Sequence, residues 1–272
     1  MRHTASDATF AGRVPEFYQQ YLVPLIFEPY AADLARRLAA RRLQRVLEIA
    51  AGTGVVTRRL ASTLPEGVTI VATDLNQAML DQAAAMGTSR PVEWRQADAA
   101  DLPFPGQSFD AVVCQFGVMF FPDKAKAFAE ARRVLRPGGL FLFNVWDRIE
   151  DNEFADVITT ELASRYPADP PRFLARTPHG YADRATIERD LSAAGFGHAA
   201  ELVTIAERSR AASAEIPALA YCQGTVLRDE IEAREPRGLM PATAQAAEAI
   251  RRRFGSGAVD AKVQAHVIAV EK

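Results

Sequence analysis

The chain has 272 residues, 49% hydrophobic and 24% charged, with a formal net charge of -2, a balance that can bury a large core and excludes a disordered or fibrous class. The near-neutral charge offers no global attraction to nucleic acid or anionic lipid, and no apolar run approaches the ~20 residues that a membrane span needs. Residues 1–7 lack the apolar core of a signal peptide, so the expectation is a cytoplasmic protein without polynucleotide or membrane partners.

Residues 10–43 carry helix signals and a density of aromatics, Phe17, Tyr18, Tyr21, Phe27 and Tyr30, which predict a helical cap over 1–44. A short apolar strand then runs into Glu48 and a two-glycine turn, Gly52 and Gly54, that opens a helix. Glycines let the backbone bend and approach a ligand closely, and the helix start directs free N–H groups at it. A dinucleotide fingerprint would place a third glycine where Thr57 stands. A carboxylate before the turn repels a diphosphate and attracts a cation, so the local charge favours a cationic cofactor. Residues 68–74 form a second strand ending in Asp74, placed to accept hydrogen bonds from a ribose diol. Residues 92–98 form a third, whose Asp98 with the N–H of Ala99 could read an adenine edge.

A fourth strand, 109–116, carries Cys114 and is followed by Met119, Phe120 and Phe121. The Arg136-Pro137-Gly138-Gly139 turn leads into a fifth strand, 140–145. Later come a helix over 183–191, capped by Asp183 and ended by Gly195, a strand over 200–205 and a last strand over 262–270. Alternating strands and helices from residue 45 onward predict a doubly wound α/β domain over 45–272, with helical lid insertions at 147–182 and 211–257. Cys114 and Cys222 make no disulfide framework and read as buried thiols, Asp101 and Asp110 as loop and strand-start residues.

Four segments in order, VLEIAAGTG, VATDLNQAML, QADAADLPFPGQSFDAVVCQFGVMFFPD and EARRVLRPGGLFLFNVW, resemble class I S-adenosylmethionine-dependent methyltransferases, specifically those similar to ubiquinone and menaquinone biosynthesis (type 11) methyltransferases. The resemblance spans residues 46–146. It implies a Rossmann-like sheet of seven mainly parallel strands with the last antiparallel. It implies S-adenosylmethionine as cofactor and S-adenosylhomocysteine as product, with Glu48, Gly52 and Gly54 around the methionine part and Asp74 on the ribose. It further implies Asp98 and Ala99 at the adenine and Gln115 near the methionine end, with Ala50, Leu75 and Met79 in the same set.

Methyl transfer from a sulfonium is an in-line displacement that needs an aligned, desolvated acceptor about 3 Å away and, for a weak nucleophile, a base. His179 is the base candidate, because His3 is terminal while His198 and His266 belong to strands. Tyr21, Phe116, Met119 and Phe120 are the candidates to line a pocket for a small apolar or aromatic acceptor. No metal ion is expected, and the protein is expected as a monomer or homodimer. Two other classes compete. Gly52, Gly54 and Asp74 partly imitate a nicotinamide-dependent oxidoreductase, against which Thr57 and Glu48 weigh, and a non-catalytic cofactor-binding protein would share the same turn.

Overall fold

Pro24 cannot donate to an α-helical ladder, and the chain winds wider around it. In the computed structural model, which describes residues 14–272, α1 (Val14–Phe17) passes into a π-helical run, Tyr18–Phe27, that contains this proline and continues as α2 (Glu28–Ala39). The earlier part of the expected cap, with His3 and Phe10, lies outside the described residues. Tyr30, Ala31, Leu34, Ala35 and Leu38 form the buried stripe of α2, at spacings of one turn.

From there strands and helices alternate: β1 (Arg45–Glu48), α3 (Val55–Thr63), β2 (Thr69–Asp74), α4 (Gln77–Met86), β3 (Glu93–Gln96), β4 (Phe109–Gln115), α5 (Lys124–Val134) and β5 (Leu135–Trp146). Then come α6 (Glu153–Arg165), α7 (Phe173–Arg176), α8 (Arg184–Ala193), β6 (Glu201–Ala211), α9 (Glu215–Gln223), α10 (Leu227–Arg234), α11 (Leu239–Phe254) and β7 (Val259–Glu271).

The strands form one seven-stranded sheet in the order β3-β2-β1-β4-β5-β7-β6. β1 runs parallel to both β2 and β4, with Val46 opposite Ile70 on one side and Ala111 on the other. β7 is antiparallel to β5, since Gly138 N–H donates to Lys272 O at 3.1 Å and Lys272 N–H to Gly139 O at 2.9 Å. Successive crossovers run outward from β1 to β3 and, in the other direction, from β4 to β5, so the order reverses between β1 and β4. In open α/β sheets, ligands bind outside the carboxyl ends of the strands at such a switch point. Glu48 ends β1 and Gln115 ends β4 there.

β3 is shorter than the expected 92–98, and three strands are longer than the sequence expectation. β5 starts at Leu135, because the Pro-Gly-Gly turn is absorbed as an irregularity in the ladder: Phe109 opposes Leu135 and Ala111 opposes Leu140, with Gly138 at φ 74. β6 and β7 are both longer than expected.

The chain divides into two compact units. One comprises Glu28–Val145, Tyr181–Thr204 and His266–Lys272 and holds the β1 to β5 framework. Its core includes fully buried Phe109, Phe128, Phe141 and Phe143, with Phe128 and Phe143 centred 5.3 Å apart. The other comprises the described residues up to Phe27, Trp146–Gly180 and Ile205–Ala265, in which α11 packs against α6 and α9. Ala242, Ala246 and Ile250 are buried on α11, where small side chains allow that close approach. Among the described residues, no helix is long and apolar enough to cross a membrane.

Candidate functional site

The loop after β1 is tied on both sides. Ile49 N–H donates to Val113 O of β4 at 3.0 Å, and Ala51 N–H donates to Thr73 O of β2 at 2.9 Å. Between these anchors the backbone turns left-handed at Ala50 (φ 53), and it does so again beyond them at Gly52 (φ 55) and Gly54 (φ 79). Ala50 accepts this conformation against its steric preference, which two neighbouring strands impose. A Cβ at Gly54 would lie 3.0 Å from Trp94 Cη2 and 3.1 Å from Ala83 Cβ, so the third position of the turn needs glycine for packing as well as for φ.

Asp74 closes the next strand and is 7% exposed. Its Oδ2 accepts the Gly52 N–H and its Oδ1 the Asn76 N–H, both at 2.8 Å, so the carboxylate links the glycine loop to the start of α4. Burial holds its pKa above the usual range against these backbone donors. Oδ1 also receives Asn76 Nδ2 at 3.5 Å, while Oδ2, with one donor, retains a lone pair for a hydroxyl. Leu75, the next residue, is 52% exposed, an uncovered apolar surface beside a buried acid. Ala97 N–H donates to Asp74 O at 3.0 Å, which brings the end of β3 to the same rim; there Asp98 is exposed, and its Oδ1 accepts the Ala100 N–H. Met79 is buried in α4.

Glu48 is 1% exposed. Thr57 Oγ1, one turn into α3, donates to its Oε2 at 2.5 Å. Burial pushes the Glu48 pKa up to about 8, opposed by the Thr57 hydroxyl and the positive charge of Arg58, and reinforced by the negative charge of Asp74. Arg58 is held close by donating to Thr53 O at 2.6 Å.

Beyond β4, Phe116 adopts φ 51. Its N–H is fixed by Asn144 of β5, whose Oδ1 accepts at 2.9 Å and whose strand position faces Gln115. Phe116 and Met119 are buried and Phe120 is half-buried, with the Phe116 ring edge-on to Tyr30 at 5.3 Å. Gly117 has no room for a side chain, since a Cβ would lie 2.5 Å from Ala50 Cβ and 2.7 Å from Cys114 Sγ.

The structure therefore brings together Glu48, Ala50, Gly52, Gly54 and Asp74 through direct bonds and shared turns, and lines up Leu75, Asp98 and Ala99 along the same strand ends. A family model for a methyltransferase domain matches residues 47–143, the stretch that carries all of them. The ubiquinone/menaquinone biosynthesis C-methyltransferase UbiE of Stutzerimonas stutzeri is 32% identical over 228 residues, which cover 71% of this chain and 89% of that one. The chain belongs to the class I S-adenosylmethionine-dependent methyltransferases. UbiE of Ectopseudomonas mendocina is 34% identical over 165 residues, 56% of this chain; the match spans 64% of that relative, slightly under two thirds. Among solved structures, the YcgJ protein of Bacillus subtilis has the same fold, with a TM-score of 0.56, 20% identity and coverage of 90% of this chain and 98% of that one.

In this methyltransferase His179 belongs to the other unit, as does Tyr21, which is half-buried with its ring 5.7 Å from Phe17. His179 Nδ1 lies 2.8 Å from Asp147 O. A carbonyl only accepts, so Nδ1 carries the proton and the neutral ring keeps its lone pair on Nε2. Burial pushes the imidazole pKa down to about 4. Asp147 is itself fixed, with Gln264 Nε2 donating to its Oδ2 at 2.6 Å, and Trp146 lies 6.2 Å from the imidazole. Arg176 pairs with Glu230 at 3.0 Å.

Sequence reasoning passed over Thr57 and Asn144. Thr57 had registered as a missing glycine, although a hydroxyl one turn inside a helix and nine positions from a buried acid is a donor in waiting. Asn144 was visible as the lone amide in the apolar run 140–146.

Proposed function

We propose that this methyltransferase uses S-adenosylmethionine to methylate a small apolar or aromatic metabolite in the cytoplasm, with carbon as the acceptor atom ahead of nitrogen or oxygen. The observation that carries the reading is the rim itself: a buried, backbone-braced Asp74, an exposed Leu75 beside it and a buried Glu48 behind a left-handed loop. These residues fit the group. A fixed carboxylate suits a ribose diol, an uncovered leucine suits the flat face of adenine, and Glu48 suits positive charge. The UbiE relatives, C-methyltransferases by name, support carbon as the acceptor.

When bound, S-adenosylmethionine supplies an electrophilic methyl on positively charged sulfur. The chain's residues bind and orient it through Glu48, the Ala50–Gly54 turn, Asp74, Leu75, Asp98, Ala99 and Gln115. Segments 1–44, 147–182 and 211–257 select the acceptor and exclude water, with Tyr21 and Phe120 as contact residues and Phe116 and Met119 supporting them. His179 takes the acceptor's proton at Nε2. An imidazole held near pKa 4 is a weak base, so its contribution belongs at the lower end of the usual range, about 10²-fold in rate.

The test incubates the protein with S-adenosylmethionine labelled with carbon-13 at the methyl and a panel of phenolic, quinol and aliphatic metabolites. One of them should gain the mass of one methylene with stoichiometric S-adenosylhomocysteine, and the methyl carbon shift should report a carbon–carbon bond. Binding of S-adenosylhomocysteine without turnover on any metabolite class would leave a non-catalytic cofactor-binding protein. His179→Ala should slow turnover about 10²-fold while leaving S-adenosylhomocysteine affinity unchanged; equal rates would leave proximity alone as the mechanism.

A further inference from the structure

We propose that Glu48 reads the charge of the cofactor: its carboxyl releases a proton to solvent when positive sulfur enters the crevice, and recovers one when the uncharged thioether product is left. This rests on the S-adenosylmethionine reading above and adds to it a means by which the site tells substrate from product.

The geometry that carries it is a carboxyl at the switch point between β1 and β4, 1% exposed, with a single neutral donor. Thr57 Oγ1 serves Oε2, and no second hydrogen bond to the side chain is present among the described residues. A buried carboxylate normally collects two or three donors or a direct ion pair; one hydroxyl is a poor substitute. The charged and titratable groups that face Glu48 come from three elements. From α3, Arg58 favours the ionised form, but its Nη1 is committed to Thr53 O and its charge is shared with Glu28 of α2. From β2, Asp74 disfavours ionisation. From β4, the Cys114 thiol is pushed up to about 12 by burial, so it stays neutral.

With a pKa of about 8 in the free protein, only about a tenth of Glu48 is ionised at pH 7. A unit positive charge about 5 Å from a carboxyl, at an effective protein dielectric, changes its ionisation constant on the order of a hundredfold. Glu48 then loses its proton to water near neutral pH, and the loss of sulfur charge on methyl transfer reverses the bias. Affinity for the sulfonium therefore strengthens as pH rises toward 8, while affinity for the thioether changes less.

The experiment is calorimetric titration of the full chain with S-adenosylmethionine and with S-adenosylhomocysteine, between about pH 6 and 8, in two buffers of different ionisation enthalpy. The expected result is release of nearly one proton per S-adenosylmethionine at neutral pH, with affinity rising severalfold per pH unit, and a smaller release with S-adenosylhomocysteine. Glu48→Gln, which keeps the size and the Thr57 contact, should bind both with buffer-independent heat. Thr57→Val, which keeps the acid and removes its donor, should still release a proton, at a higher midpoint pH. Equal release by both compounds, or release that persists in Glu48→Gln, overturns the proposal by assigning the proton elsewhere. Failure of the unmodified protein to bind either compound at any pH would instead overturn the cofactor reading.

Discussion

Asp74 does at the residue scale what two residues often share. It braces the glycine loop and the start of α4 through backbone donors, and its Oδ2 keeps a lone pair for a ligand hydroxyl. Asp74→Ala should therefore weaken S-adenosylhomocysteine binding by about 1–3 kcal/mol, because ribose hydroxyls lose their acceptors and Gly52 loses its anchor. Calorimetry on a variant shown to be folded checks this, and unchanged affinity would sink the ribose assignment. Asp74 and Glu48 stand out in the sequence because each ends an apolar run, Glu48 before the glycine turn and Asp74 before a helix. What escaped was the support behind them. Thr57 matters through a contact nine residues back, and Asn144 through one 28 residues back at Phe116. The Thr57 contact is made by the turn from β1 into α3, and the Asn144 contact by β4 and β5 lying side by side, so neither follows from the run of residues around the acids.

At the scale of elements, the loop after β4 packs against the loop after β1 at Gly117. A methyl group there would meet Ala50 Cβ and Cys114 Sγ well inside van der Waals contact. Gly117→Ala should destabilise the fold by about 1–3 kcal/mol and displace Ala50, weakening cofactor binding as well; urea unfolding and titration measure the two effects separately. At the amino ends of the strands, Asp110 accepts the N–H groups of Gln44 and Arg45 and pairs with Arg136 at 2.6 Å, which ties the starts of β1 and β5 to β4. These donors hold its pKa below the usual range despite partial burial. Its contribution is thus present above the unfolded carboxylate pKa of about 4 and lost as pH falls through the folded value. Asp110→Ala should cost about 1–3 kcal/mol at pH 7 by urea unfolding and progressively less below about pH 4; an equal cost at both would show that the ion pair and its donors are not the source. The bland sequence reading of Asp110 as a strand-start residue missed this clamp because its partners lie 65, 66 and 26 positions away. The full length of β6 was hidden for a related reason. It is an edge strand whose Arg208 and Arg210 pair with Asp260 of β7, and charged edges that discourage aggregation blur the apolar alternation by which strands are found.

Across the whole molecule, two buried groups are displaced in opposite directions, one in each unit. His179 has a folded pKa of about 4, below its unfolded value of about 6.5, so its share of stability is full above pH 6.5 and is lost as pH falls toward 4. Glu48 has a folded pKa of about 8, above the ordinary 4.5, so its share is full below pH 4.5 and is lost as pH rises toward 8. The protein holds two tryptophans, Trp94 in the unit of Glu48 and Trp146 in the unit of His179, so Trp146→Phe and Trp94→Phe backgrounds let fluorescence follow each unit by itself. In the Trp146→Phe background, Glu48→Gln should raise the unfolding free energy by roughly 3–5 kcal/mol at pH 8 or above, and by little near pH 4, since each pKa unit is worth about 1.4 kcal/mol. Saturating S-adenosylmethionine should narrow that difference by giving the Glu48 carboxylate a counter-charge. A gain of the same size at both pH values would mean that Glu48 burdens the fold by its shape and not by its charge. In that case an acid kept inside the sheet at a cost to the empty protein would have no explanation in cofactor binding.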